Sequence, residues 1–443
     1  MESATSSKRQ RVVQRAARDT VDEEEEEMFD ERSVNKDLDI DSKIAALKVS
    51  LSVVCLLSRT GGKNLCRCSG TVVECERKQE SGGGGGGGEF VATILTSANL
   101  LRFPAYSRYT FLAPDITVEV YLSKGKPLKG QVLGYDFHYN LAIIQITTDY
   151  PLPTAILTDI DVSMPLTPTP LLTDSKPFGL RPHTVDSSLF KLRGGDKVIA
   201  LARTHNCHCL LVESGMLSIY KSSWLHCQEL LYTSCKTTQV YIGGPLINCD
   251  GEVIGIVFHY DGYAAFLPIN IASRCLQLLK RDRGVCHPWL GMTLTNSYAA
   301  KASVLEEIIQ KFPHIRNGII VKDVMKGSPA AHAGIISKDI IVECDGEVVR
   351  CSLEFCRMVW NRASQSVEVV VMRPSSSKPV KLTMVADELK PASYNWQVLF
   401  HLFACWFSYR NTSWPVPADK EYAAVIWMSI DLAVQRTTTW LDA

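Results

Sequence analysis

The sequence lacks any run of the roughly 18 apolar residues that a membrane-spanning helix needs, so no helical membrane anchor is expected. It also lacks a net charge. Its 47 lysines and arginines stand against 47 aspartates and glutamates, so no overall field directs it to nucleic acid or to an anionic bilayer. The opening MESATSSKRQR lacks the apolar stretch of a secretory signal, and the acidic run that follows does not suit a transit peptide. A nuclear or cytoplasmic location is therefore the expectation, and thiols there stay reduced. The fifteen cysteines are accordingly read as free thiols and not as a disulfide framework. Cys66/Cys68 and Cys207/Cys209 are spaced C-x-C, too close for the usual zinc spacing. His205 and His208 flank the second pair, where a polar loop beside a strand is the plainer reading. No metal or cofactor is expected.

The charge balance hides a polarised N-terminus, basic over residues 8–18 and acidic over 22–31. Residues 1–42 carry few large apolar side chains to offset ordering entropy and are expected to be disordered. Lys8, Arg9, Gln10 and Arg11 form a candidate nuclear import patch. From Lys43 the texture changes to short runs rich in valine and isoleucine, each of strand length: SGTVVECE, FVATILTS, ITVEVYLS, GQVLGY and LAIIQI. The run Ser81–Gly88 holds glycines with no G-K-[ST] or helix after them, which suits a long surface connection and not a phosphate cradle. Residues 150–190, rich in proline, serine and threonine, read as a loose connection. Strands return at DKVIALA, CLLVESGMLSIY and GGPLINCDGEVIGIVFHY, the last turning at Asp250-Gly251. Many short strands at close intervals indicate barrels or a sandwich. Ile271, Cys275, Leu278 and Leu279 then fall on one helical face, closing the β region.

Residues 287–387 read as a smaller β-rich unit. It has a short helix ending at Gly334, a hairpin turning at Asp345-Gly346, and a helix Ser352–Ala363 with Ser352 as N-cap. The tail, 391–443, is rich in tryptophan and has no clear period.

Three stretches carry a resemblance to a known family. They are Leu192–Tyr220, the junction AFLPINIASRCLQLLKRDRGVCHPWLGM, and GSPAAHAGIISKDIIVECDGEVV. Together they make the chain, over roughly residues 50–387, resemble the high-temperature-requirement (HtrA/Deg) serine proteases. The resemblance implies a mainly β fold: a disordered charged tail (1–42), a trypsin-like double β-barrel (43–282), a PDZ domain (285–387) and a C-terminal extension (391–443).

The family's chemistry is acyl transfer by a serine, a histidine and an aspartate. Here Ile94-Leu95-Thr96-Ser97-Ala98 leads to Asn99 where the histidine is expected. Gly134, Asp136, Leu141 and Ala142 frame Asn140 where the aspartate is expected. Val240-Tyr241-Ile242-Gly243-Gly244-Pro245 places Ile242 at the serine. An amide has no pKa suited to proton transfer near neutrality, and isoleucine has no nucleophilic atom. Val240 replaces the glycine of the oxyanion-hole turn. Loss of a triad in a comparable protease costs about six orders of magnitude in kcat. The expectation is thus a pseudoprotease, not an enzyme, with His138, Ser97, Ser234 and Cys235 as the nearest groups for a relocated triad. An active or weakly active serine endopeptidase, or a regulatory subunit of an active paralogue, is the alternative.

In the family, the segment matching Trp289, Leu290, Gly291 and Met292 is the carboxylate-binding loop of the PDZ groove, where backbone N–H groups hold a peptide C-terminus. Protein or peptide C-termini are therefore the expected partners. A homotrimer, or a hetero-oligomer with an active paralogue, is also implied by the resemblance.

Overall fold

Asp39 caps the first helix, α1 (Ile40–Val49), its carboxylate accepting from Ser42 N at 3.0 Å and from Ser42 Oγ at 2.8 Å. In the structure, a computed structural model, the described residues are 38–388 apart from 79–87, 103–111, 165–188, 219–226 and a few isolated positions. The basic and acidic blocks, most of the glycine run and the tail 391–443 lie outside the described residues. Helix α1 starts inside the segment expected to be disordered. The capping carboxylate, and packing of Ala45, Ala46 and Val49 with no exposed surface beyond 3 %, supply what composition alone did not reveal.

The first barrel follows. Its strands are β1 (Val53–Thr60), β2 (Lys63–Arg77), β3 (Phe90–Ser97), β4 (Thr117–Tyr121), β5 (Leu128–Asp136) and β6 (Leu141–Thr148). They close in the order β1-β2-β3-β6-β5-β4. Alternate side chains point inward, so Val54, Leu56, Ile94, Ala142 and Ile144 fill the interior while their neighbours face out. A two-residue parallel pair, β7 (Ile160–Asp161) and β8 (Phe190–Lys191), marks the connection to the second barrel. That barrel is built from β9 (Lys197–Arg203), β10 (Leu210–Ser218), β11 (Leu231–Thr233), β12 (Pro245–Ile247), β13 (Val253–Tyr260) and β14 (Tyr263–Pro268), closed as β10-β11-β14-β13-β12-β9. Closure removes the open edges that strands this apolar would otherwise expose.

Arg203 ties the two barrels. Its guanidinium is buried and donates to Val53 O and His208 O, each at 2.6 Å, and to Ser50 O, while its backbone N donates to Ser69 Oγ at 3.0 Å. Helix α2 (Ile269–Asp282) follows β14 and lies against both barrels. It buries Ile271, Ala272, Cys275, Leu276 and Leu279; Leu276, not Leu278, completes the face.

The third unit comprises β15 (Pro288–Trp289), β16 (Met292–Asn296), α3 (Ala302–Lys311), β17 (Ile319–Val324), α4 (Pro329–His332), β18 (Ile340–Cys344), β19 (Glu347–Val348), α5 (Ser352–Trp360), β20 (Ser366–Met372), β21 (Val380–Val385) and β22 (Asp387–Glu388). The main sheet runs β16-β17-β18-β20-β21, with β19 beside β18 and β15 paired to β22. Ser328 caps α4 through a bond from Ala331 N, Pro329 occupies its first turn, and Gly334 leaves it at φ +82°. Asp345 (φ +50°) and Gly346 (φ +80°) make the positive-φ turn expected of a two-residue hairpin. Ser352 is the first residue of α5 and not its cap. Its amide is taken by Asn296 Oδ1 at 2.6 Å, and Glu354 reaches back to Arg350 N at 3.0 Å.

Phe355 of α5 is 1 % exposed in a core of Met292, Ile341, Val359, Val369 and Met384. Phe355→Ala leaves a cavity there, and the expected cost is about 3–5 kcal/mol. Urea denaturation followed by near-UV circular dichroism measures it.

Candidate functional site

Backbone bonds bring the three triad positions to one seam. Asn99 sits in a short 3-10 turn, Ala98–Leu101, directly after β3. Ala98 N donates to Asn140 O at 2.9 Å, which joins that turn to the β5–β6 connection. Asn140 adopts φ +55°, a conformation asparagine tolerates better than most residues. The 3-10 turn Gln239–Tyr241 leads to Ile242. Ser69 N donates to Ile242 O at 2.9 Å and Ser69 Oγ to Val240 O at 2.7 Å, so β2 clamps this turn. Gly243 follows at φ +80°, where a Cβ would lie 2.5 Å from Ser69 O and 2.6 Å from Ser97 N.

The side chains at the seam are quiet. Ile242 is half-buried and packs on the core of the first barrel, not into open space. Val240 packs on the core of the second. Ile242 N, the amide of the residue at the serine position, donates to Gln239 O at 3.1 Å and is turned away from any oxyanion. The Asn140 amide oxygen is buried and has no hydrogen-bond partner among the described residues. Asn99, Asn140 and Ile242 thus present no hydroxyl, imidazole or carboxylate, and hydrolysis at this seam needs its nucleophile and base from other groups. Nearby hydroxyls are committed: Ser69 as above, Thr96 Oγ1 to Ser69 O at 2.7 Å, and Ser97 Oγ accepting from Asn99 N at 3.1 Å. Ser234 Oγ accepts from Met216 N at 2.9 Å, and Cys235 is fully buried with its thiol pushed up to about 11 by burial.

His138 points elsewhere. It belongs to an aromatic cluster with Tyr139, His287 and Trp360, its ring centroid 4.4 Å from that of His287. At its centre His287 Nε2 and Asp136 Oδ2 are 2.5 Å apart, with side chains 2 % and 5 % exposed. Asp136 Oδ1 also accepts from Tyr139 N at 2.7 Å. The cluster therefore links the loop before Asn140, the segment leading into β15, and helix α5. Burial opposes charge on Asp136, but the bond from His287, the neighbouring His287 and His138 rings and the Tyr139 amide together outweigh it, and the carboxyl lies below its ordinary value. No local signal in the sequence marked this pair, whose members are 151 residues apart.

Burial, then the neighbouring His287, holds His138 down to about 3 against an opposing pull from Asp136. Unfolded, the ring protonates near its ordinary 6.5. Its contribution to stability is therefore complete above that pH and is lost progressively as pH falls toward 3. Thermal melts are expected to shift downward between about pH 7 and 5, and His138→Asn is expected to flatten that slope.

Trp289, Leu290, Gly291 and Met292 form the approach to the end strand β16. Gly291 takes φ +67°, and a Cβ would meet Ser328 Cβ at 2.1 Å, so only glycine fits. Gly291 O accepts from Met325 N at 2.8 Å and Leu290 O from Ala330 N at 3.1 Å, pinning the loop on the α4 segment. Helix α5 lies beside β16.

Two domain families match this chain: the trypsin-like peptidase domain over residues 68–256 and the PDZ domain over residues 288–384. In its two domains and their order the chain is similar to the HtrA/DegP-type serine proteases. An Arabidopsis thaliana chain named as the Do-like 14 protease is 30% identical over 287 residues, which cover 62% of this chain and 58% of that one. A DegP-like periplasmic serine endoprotease of Halomonas elongata is 27% identical over 60% of this chain and 50% of its own. The chain thus spans only about half the length of these curated relatives. Among solved structures, the HtrA-type protease AlgW with tripeptide aligns with a TM-score of 0.50 at 19% identity, over 79% of this chain and 98% of that one, a likeness of fold.

These findings correct one expectation. Asn99, Asn140 and Ile242 led to the reading that the chain is not an enzyme, yet its relatives are named as proteases and serine endoproteases. Three side chains do not decide the function of the whole molecule, because the barrel frame around them is that of the peptidase domain.

Proposed function

We propose that this HtrA-type chain acts on polypeptides as a weakly active serine-type endopeptidase, its PDZ domain holding an extended peptide or C-terminus beside β16. The observation that supports the binding half is the loop Trp289–Met292. Its glycine-dependent bend leads straight into the end strand of the sheet, with α5 alongside. A peptide can add there as a further strand, with main-chain hydrogen bonds giving affinity and side-chain pockets giving selectivity. The proteolytic half rests on the relatives' names, and the seam's amide and aliphatic side chains set its rate low.

Assembly of several copies is part of the same reading. It is supported by an exposed apolar row on and just after α1: Ile40, Ile44, Leu47 and Leu51.

The test is a screen of the whole chain against a library of peptide C-termini, run in parallel with cleavage of fluorescent casein and labelling by a serine-directed phosphonate. Selective binding is expected. It is expected to be lost in Gly291→Ala, which adds roughly 1–2 kcal/mol of left-handed strain to the contact with Ser328. Slow casein turnover with phosphonate labelling supports the endopeptidase. Binding without either refutes that half and leaves the peptide-binding half standing.

A further inference from the structure

The groove between β16 and α5 is pinched shut at its far end. Asn296, the last residue of β16, is 2 % exposed. Its Oδ1 accepts from Ser352 N, the first amide of α5, at 2.6 Å, and its Nδ2 donates to the Tyr298 hydroxyl at 2.8 Å. A strand added to β16 would lie about 4.8 Å out from it, with α5 farther out again. A single side chain that spans from β16 to the helix amide leaves no room for that strand. Burial along β16 agrees. Thr293 and Thr295 share one face of the strand, yet Thr293 is exposed while Thr295 is buried. The edge is therefore open beside Thr293 and Leu294 and covered from Thr295 onward.

The pinched end is braced from outside the PDZ unit. Cys351, just before α5, belongs to the second barrel's core cluster with Ile160 and Val162, and Leu353 packs against the same cluster. Arg350 Nη1 lies 3.4 Å from Asp161 Oδ2, a side chain that is itself buried. Past β16, Asn296 and Tyr298 line a cleft whose other wall is Val162, Leu192 and Leu231. The first turn of α5 thus leaves β16 only by leaving the second barrel as well. At the near end, Leu290 and Gly291 are pinned on the α4 segment. What remains is a short slot and not a through-channel.

We infer that Asn296 is the specificity gate of this groove: it admits a free C-terminus over about its last three residues, beside Met292, Thr293 and Leu294, and shuts out internal extended segments. Ligand residues farther from the chain end leave the slot before Thr295 and add no main-chain bonds to it. The inference rests on the peptide-binding half of the reading above and is independent of proteolysis.

The full chain is titrated with fluorescent peptide pools of three, five and eight residues. The pools share randomised last three positions and a free carboxylate, and are extended with alanine and serine alone. In the parent, the three affinities are expected to agree within about twofold, since one further main-chain bond would be worth a factor of about five. In Asn296→Ala the eight-residue pool is expected to bind about tenfold or more tighter than the three-residue pool. Ser352→Pro removes the donor instead, at a first helical position where proline is tolerated, and is expected to act likewise. Asn296→Asp keeps an acceptor for Ser352 N and is expected to keep the flat dependence. Affinity that climbs with length in the parent overturns the gate, as does a flat dependence that both opening variants leave unchanged, or equal binding of amidated pools. No binding at any length in parent or variants sinks the peptide-binding reading itself, and the gate with it.

Discussion

Asn99→His, Asn140→Asp and Ile242→Ser combined with Val240→Gly raise casein turnover by at least about a thousandfold. That is a cautious fraction of the six or so orders of magnitude a triad contributes in a comparable protease. The frame for this gain already exists. Ala98 N on Asn140 O fixes the first two positions to each other, and Ser69 N on Ile242 O fixes the third beside them. Asn140→Asp keeps a residue type that tolerates φ +55°. The glycine is needed because Ile242 N now donates to Gln239 O. An oxyanion needs that amide turned toward it, and Val240 is held on the second barrel's core. The triple variant without Val240→Gly is expected to recover only part of the rate. Steady-state kinetics on both variants and the parent decide this. Equal rates in all three would place the working nucleophile away from the seam.

Asp136→Ala is expected to be the most damaging single change outside the cores. It leaves His287, 2 % exposed, without its carboxylate, and frees Tyr139 N from its acceptor. Breaking a buried pair from one side costs about 3–5 kcal/mol. Because the cluster joins the first barrel to Trp360 of α5, the loss is expected in both the barrel and PDZ transitions of a calorimetric scan. Asp136→Asn with His287→Gln replaces both members by amides that can bond each other and is expected to recover part of the loss, which a double-mutant cycle measures. Additive effects would show that the pair does not couple the two units.

The sequence was most informative where a local rule had one physical solution. Gly334, Gly346 and Gly251 all take positive φ at the turns and caps their neighbours foretold. The strand-length apolar runs became the barrel strands because alternation leaves a closed sheet only one face to bury. Sequence reading stopped at contacts between distant segments. Arg203 gave no hint that it would hold Val53 and Ser50, some 150 residues away. Leu276 and not Leu278 completes the buried face of α2, because the facing barrels, not the helix period alone, decide which flank is covered. At the seam, the identities of Asn99, Asn140 and Ile242 could be read from their flanking motifs. The inward turn of Ile242 and the spent amide could not, since both follow from backbone torsions that no side-chain pattern encodes. The step from those identities to a chain without enzymatic function was the one the relatives overturned.

Helix α1 is held by groups made much later in synthesis. Its capping Asp39 pairs with Lys197, 158 residues on, and its Lys48 donates to Asp250 O, 202 residues on. At about 5–20 residues per second, the ribosome reaches Asp250 roughly 10–40 seconds after it has made Lys48. For that interval the nascent chain carries a helix whose apolar side has nothing to rest against, and β1 after it has no fixed starting point. The first barrel can close on its own six strands, but α1 gains its partners only when the second barrel arrives, so the newborn chain depends on whatever shields α1 until then.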